Sequence, residues 1–292
     1  MKYFEKRPMV LILVGILGIS MSSILIRYST APSAVTASWR LLWTVILMSP
    51  VVLGKKQVRQ ELFSVEKRTA ALSLLSGVFL AVHFWFWFES LRMTTVSSAT
   101  TIVSTEVIWV SIGFFLFLKG RLSRKAVAAI AVAFTGSACI AFADSGAGGT
   151  HLRGDILALL AAIAVAVYML LGRIVRAKVS NSVYTYLVYI ACGAGLVLMS
   201  VFQGQGLFAY GHNGILIGLA LAVFSTILGH SVFSWCLKYF SPSFVSAYKL
   251  CEPVVSSILA AFLFREIPGP VQLVGCLLIL GSVLYYSRLE EK

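Results

Sequence analysis

Acidic side chains are scarce in this sequence: 11 Asp and Glu in 292 residues, against 24 Lys and Arg. Charged residues of both signs amount to 12%, about half the share of a soluble globular chain. With 59% hydrophobic residues and a mean hydropathy of +0.91, this excludes a large water-soluble domain and indicates an integral membrane protein. Motifs for chemistry are missing as well. There is no G-x-x-x-x-G-K-[ST], no dinucleotide fingerprint, no H-E-x-x-H and no plausible G-x-S-x-G elbow. No stretch between apolar segments is long enough for a separate catalytic domain, so an internal ATP motor and a soluble enzyme are both excluded. No cofactor and no metal are expected. The five cysteines (Cys139, Cys192, Cys236, Cys251 and Cys276) all fall inside apolar segments, without zinc spacing or a secreted disulfide framework. They are expected to be reduced packing residues. The formal charge of +13 would suit a nucleic-acid partner, but the basic residues cluster in short loops between apolar segments, as orientation signals do. No nucleic-acid partner is expected.

What is present is a succession of apolar runs. A bilayer crossing takes about 20 apolar residues. Ten segments qualify, at residues 8–27, 33–53, 69–91, 95–118, 124–142, 154–172, 182–202, 214–236, 243–264 and 269–287. No small-residue cleavage site follows the run after Lys2, Lys6 and Arg7, so it is expected to remain as an uncleaved first helix. With the N-terminus in the cytoplasm, eighteen basic residues fall in inner segments. Four (Arg27, Arg92, Arg153 and Arg265) fall in outer ones, and Arg40 and Lys249 lie within spans. This asymmetry fits the positive-inside rule and predicts a multi-pass protein of the cell (plasma) membrane with both termini cytoplasmic.

The two halves of the chain resemble each other at a constant offset of 146. Residues 91–118 read "LRMTTVSSATTIVSTEVIWVSIGFFLFL" and residues 237–264 read "LKYFSPSFVSAYKLCEPVVSSILAAFLF". Leu91 meets Leu237, Arg92 meets Lys238, and Glu106 meets Glu252. Five spans per copy is an odd number, so the second copy enters from the opposite side. The predicted fold is all-α and integral to the membrane: ten transmembrane helices as two inverted-topology five-helix repeats. The first repeat covers 1–143, an outer linker loop 144–153, and the second repeat 154–292. Inverted repeats are typical of secondary transporters, whose substrate sites lie near the midplane.

The stretch "SAYKLCEPVVSSILAAFLFREIPGPVQLVGCLLILGSVL", residues 246–284, carries an E-P dipeptide (Glu252, Pro253), Glu266 just beyond the ninth span, and the glycines Gly275 and Gly281. Residues 37–47, "ASWRLLWTVIL", place Arg40 in the second span. On these patterns and the ten-span, two-half layout, the chain resembles the ten-helix EamA-type branch of the drug/metabolite transporter superfamily. It departs at Val107, where the family usually has a proline near that point, and lacks the Glu expected after the fourth span, in "LKGRLS". The resemblance implies a secondary transporter, often an exporter of amino acids or other small metabolites. It also implies a central cavity walled by both halves, with the fifth and tenth helices packed outside.

Ionisable residues inside spans are costly and are functional-site hypotheses by default. Lys249 and Glu252 stand three residues apart, about 60° around a helix, so both can face one cavity. Pro253 deprives the Lys249 carbonyl of its helical partner and predicts a kink there. Glu106 has no basic residue within a turn in sequence. It is expected either to take a proton, as a coupling carboxyl must, or to pair with Arg40 or Lys249. Arg40 cannot readily lose its charge and is a candidate clamp for a substrate carboxylate. His83 and His230 are near-equivalents in the two halves and can relay protons or donate to substrate. Trp85, Tyr168 and Tyr248 are candidates for lining an apolar cavity.

These residues predict a non-enzymatic secondary active transporter. It would export small metabolites such as amino acids by alternating access, around a central midplane cavity. Lys249, with Arg40, would meet a carboxylate; Glu106 or Glu252 would face an amine or carry a coupling proton. The expected partners are the small-molecule substrate, the lipid bilayer and that proton, with monomer and homodimer both open. The alternatives are an exporter of lipophilic cations or drugs, and an intramembrane enzyme acting on a lipid-linked substrate.

Overall fold

The computed structural model describes residues 8–93, 99, 102–144, 152–252, 254–255, 258–259, 262 and 269–290. Among them there is no β-strand. The helices are α1 (Pro8–Arg27), α2 (Ser33–Gly54), α3 (Lys56–Ser64), α4 (Lys67–Met93), α5 (Glu106–Leu118), α6 (Arg124–Asp144), α7 (Leu152–Arg176), α8 (Asn181–Phe202), α9 (Gly211–Cys236), α10 (Pro242–Lys249) and α11 (Pro270–Glu290).

Six of them, α1, α2, α4, α7, α8 and α9, are long and apolar enough to cross a membrane, and two shorter apolar helices span Ile102–Leu118 and Leu273–Tyr286. The first, second, third, sixth, seventh and eighth predicted spans thus form single helices of spanning length. Helix α6 covers the fifth span and α11 the tenth. The fourth and ninth lie only partly among the described residues, and so does the predicted kink, since Pro253 lies outside them. Helix α3 was not anticipated between the second and third predicted spans.

The helix starts follow local chemistry. Ser180 caps α8 by accepting the Val183 N–H at 3.4 Å. Ser241 caps α10 by accepting the Phe244 N–H at 3.2 Å, with Pro242 at the first helical position, where its missing N–H is harmless.

The chain forms two compact units. The first comprises Met1–Trp85 and Val167–Tyr239, the second Phe86–Ala166 and Phe240–Lys292. Each unit therefore draws on both halves of the sequence, and the divisions fall within α4, within α7 and between α9 and α10.

In the first unit, α2 packs against α8 and α9. Trp39 donates from Nε1 to the Leu207 carbonyl at 3.0 Å and Trp43 from Nε1 to the Ile215 carbonyl at 3.1 Å. Helix α9 is not uniform: residues 222–230 wind as a π-helix between two α-helical stretches. Helix α1 lies directly on that segment. A methyl group added at Gly18 would stand 2.6 Å from the Phe224 carbonyl oxygen, a backbone approach only glycine permits.

In the second unit, α6 packs along α11, again with glycine at the contact: a Cβ on Gly136 would meet the Gly275 carbonyl oxygen at 2.7 Å. Helix α10 packs on α5 and on α11, the latter through an edge-to-face contact of Phe244 with Tyr286 at 5.4 Å. Large apolar side chains remain exposed along α5 and α11, Phe117 at 78% and Leu277 at 70% among them. In water such stripes would drive aggregation; in a bilayer they face solvent of their own kind.

Candidate substrate site

In the second unit, the C-terminal end of α10 meets the N-terminal end of α5. Lys249 Nζ donates to Glu106 Oε2 at 2.8 Å and lies 2.6 Å from Oε1, off the axis of a hydrogen bond. The side chains are 13% and 5% exposed. Of the partners the sequence left open for Glu106, the structure selects Lys249. A buried pair of this kind gains little over apolar packing, but losing one member costs about 3–5 kcal/mol because the other is stranded. Such a pair separates only when a replacement arrives: an anion for the ammonium, or a proton for the carboxylate. Glu252 follows Lys249 by nearly one turn and is half-buried. Tyr248 is 5% exposed, with its ring 4.9 Å from that of Phe244.

A second polar cluster lies in the first unit. Arg40, on α2, is 1% exposed. Its Nε donates to Thr226 Oγ1 at 2.7 Å, and its guanidinium carbon stands 4.3 Å from the centre of the Phe84 ring, within cation–π range. The Thr226 hydroxyl in turn donates to the Leu221 carbonyl at 3.3 Å. Its proton is thus committed to the backbone, and its lone pair is left to receive Arg40. His230 packs edge-to-face on Phe84 at 5.3 Å, and its ring is 6.3 Å from that of Tyr168. The Tyr168 hydroxyl shares a hydrogen bond with Ser234 at 2.7 Å. Ser76 donates to the Tyr168 carbonyl at 3.2 Å, so the Tyr184 hydroxyl, 2.8 Å away, donates to Ser76. His83 is buried, 5.3 Å from the Phe84 ring. Trp85 is half-buried on α4.

The structure thus gathers the predicted residues into two sets. Glu106, Lys249, Tyr248 and Glu252 belong to the second unit. Arg40, His83, Trp85, Tyr168 and His230 belong to the first. Sequence reading missed Thr226, Phe84 and Ser234, which position Arg40, His230 and Tyr168. The available signal was the pair of hydroxyls Ser225 and Thr226 beside Gly229 and His230 in an otherwise apolar run. The π-helical turn that carries them is a feature frequent at functional sites. Among the described residues, no group of three or more His, Cys, Asp or Glu side chains could hold a metal ion.

Known proteins resemble this chain along nearly its full length. The pattern of the EamA-like transporter family matches residues 6–142 and again 152–288. A curated relative, the uncharacterized transporter YxxF of Bacillus subtilis (strain 168), is 25% identical over 270 residues, covering 91% of this chain and 85% of that one. A solved crystal structure superposes with a TM-score of 0.83 over 98% of each chain at 16% identity, a likeness of fold.

Proposed function

This chain belongs to the EamA-like transporter family, and we propose that it is a secondary active exporter of small carboxylate-bearing metabolites such as amino acids. Membrane transport of small substrates by a multi-pass protein comes with the family; the substrate class and the mechanism are our reading. The observation that carries it is the Lys249–Glu106 pair. A substrate carboxylate takes the place of Glu106 on the Lys249 ammonium, and the displaced Glu106 carboxylate accepts a coupling proton or the substrate's amine. Either exchange keeps buried charge compensated, which is what allows the pair to open at all. Alternating access then moves substrate and proton across the bilayer. Arg40, held by Thr226 and Phe84, supplies a separate cationic contact in the first unit. An exporter of lipophilic cations would need Glu106 as a bare anion, and here it is engaged by an ammonium. The eighteen-to-four distribution of basic residues supports a plasma-membrane protein with both termini cytoplasmic.

Proteoliposome counterflow of radiolabelled amino acids tests the assignment. Saturable counterflow in the native protein, reduced at least about tenfold in Lys249→Ala and in Glu106→Gln, is the expected result, tenfold being the loss of only about 1.4 kcal/mol of differential interaction. Undiminished counterflow in both variants would remove the pair from the site.

A further inference from the structure

The short helix α3 carries a basic and aromatic face that transport does not use. Lys56, Arg59 and Phe63 stand at i, i+3 and i+7, so they share one side of the helix. All three are exposed, Phe63 at 79%. The opposite side, formed by Val58, Glu61 and Leu62, is half-buried. Both carboxylates of the segment are engaged elsewhere in the unit: Glu61 Oε1 accepts the Ser180 N–H at 2.6 Å, and Glu66 Oε2 accepts from Lys178 Nζ at 3.3 Å. Glu66 is exposed but paired with Lys178, and Lys55, Lys56, Arg59, Lys67 and Arg68 are all exposed around it, so the net charge facing outward is cationic.

The neighbouring helices set the depth of α3. Lys55 alone separates it from α2, and only Val65 and Glu66 separate it from α4. Both neighbours are long and apolar enough to cross a bilayer, so α3 lies at the level of the bilayer surface. Arg59 Nη1 also donates to the Leu53 carbonyl at 3.2 Å. That holds the guanidinium at the last turn of α2, where Val51 and Leu53 are 44% and 40% exposed. Cations beside an exposed apolar stripe, with an exposed aromatic ring on the same face, make an interfacial helix. The ring enters the acyl boundary and the cations meet phosphates.

We propose that the Lys56–Arg59–Phe63 face of α3 binds the headgroups of anionic phospholipids. Because Glu61 holds the amide of Ser180, the residue that caps α8, bound lipid also braces the start of that helix. This binding is independent of the substrate assignment. The test uses full-length protein in neutral detergent, titrated with dioleoyl-phosphatidylglycerol or with dioleoyl-phosphatidylcholine, and native mass spectrometry to count retained lipid. Phosphatidylglycerol is retained preferentially. Lys56→Gln/Arg59→Gln weakens its retention roughly thirtyfold, as the surface contribution of two cations implies. Arg121→Gln/Lys125→Gln, which removes two exposed cations from just before and within the first turn of α6, leaves retention unchanged. Phe63→Ser weakens it with no change of charge. An unaltered thermal midpoint in lipid-free detergent verifies that each variant is folded. Equal retention of the two lipids, equal loss in the two double variants, or displacement of phosphatidylglycerol by millimolar inorganic phosphate would each overturn the proposal.

Discussion

Lys249 and Glu106 are each too expensive to bury alone, and that makes their pairing testable apart from transport. Removing one member strands the other, at about 3–5 kcal/mol, whereas replacing both with apolar groups of similar size is close to neutral. Lys249→Met should therefore lower the thermal midpoint in detergent sharply, and Lys249→Met/Glu106→Met should recover most of it. Additive losses in the double variant would contradict a direct pair. Outside the membrane, the Glu66 carboxyl is held below its ordinary value of 4.5, first by the hydrogen bond from Lys178 and then by that from Thr69. The folded state favours the charged carboxylate, so the contact stabilises in full above the ordinary value, and its contribution is lost as pH falls from 4.5 through the lower folded value. A carbon-13 NMR titration should place the Glu66 midpoint under 4.5 and return it towards 4.5 in Lys178→Gln; a native midpoint at or above 4.5 would refute this. Both members of the buried pair were legible in the sequence because a charge in an apolar run is costly and needs a partner, whether structural or functional. Which residue answered which was not legible, since the contact joins positions 143 apart and is made by packing. Thr226 and Phe84 stayed hidden because a hydroxyl and a ring in a span look like ordinary helix filling.

Helix contacts in this protein depend on where small residues sit. Gly136 lies against the backbone of α11, whereas nothing stands within 4 Å of a Cβ built on Gly281. Gly136→Ala must push α6 from α11 and should cost roughly 1–3 kcal/mol, the usual range for overpacking. Gly281→Ala meets no obstruction and should be neutral or stabilise by up to about 1 kcal/mol through helix propensity. Thermal unfolding in detergent, followed by circular dichroism, separates the two; equal effects would mean that α6 and α11 do not touch at Gly136. The long apolar helices were readable from composition and length alone. The π-helical stretch of α9 was not, because no proline or charge marks residues 222–230. Helix α3 was missed because nine residues of mixed character are too few to register beside runs of twenty.

Two different divisions organise the whole chain. The family pattern recurs as 6–142 and 152–288, while each compact unit is assembled from stretches of both halves. The repeat is visible in sequence because equivalent positions keep equivalent residues, such as Glu106 and Glu252. The compact units are not visible there, because they follow from which helices pack together. In the proposed mechanism the two glutamates have diverged in duty: Glu106 pairs with a lysine that only the second half carries, at a position where the first half has Val103. The most direct test is counterflow of labelled amino acids by Lys249→Met/Glu106→Met in proteoliposomes, beside the native protein. The account predicts a folded, correctly inserted double variant with a native-like thermal midpoint and no saturable counterflow. Native-like counterflow from that variant would show that substrate passes without the pair and would contradict the account.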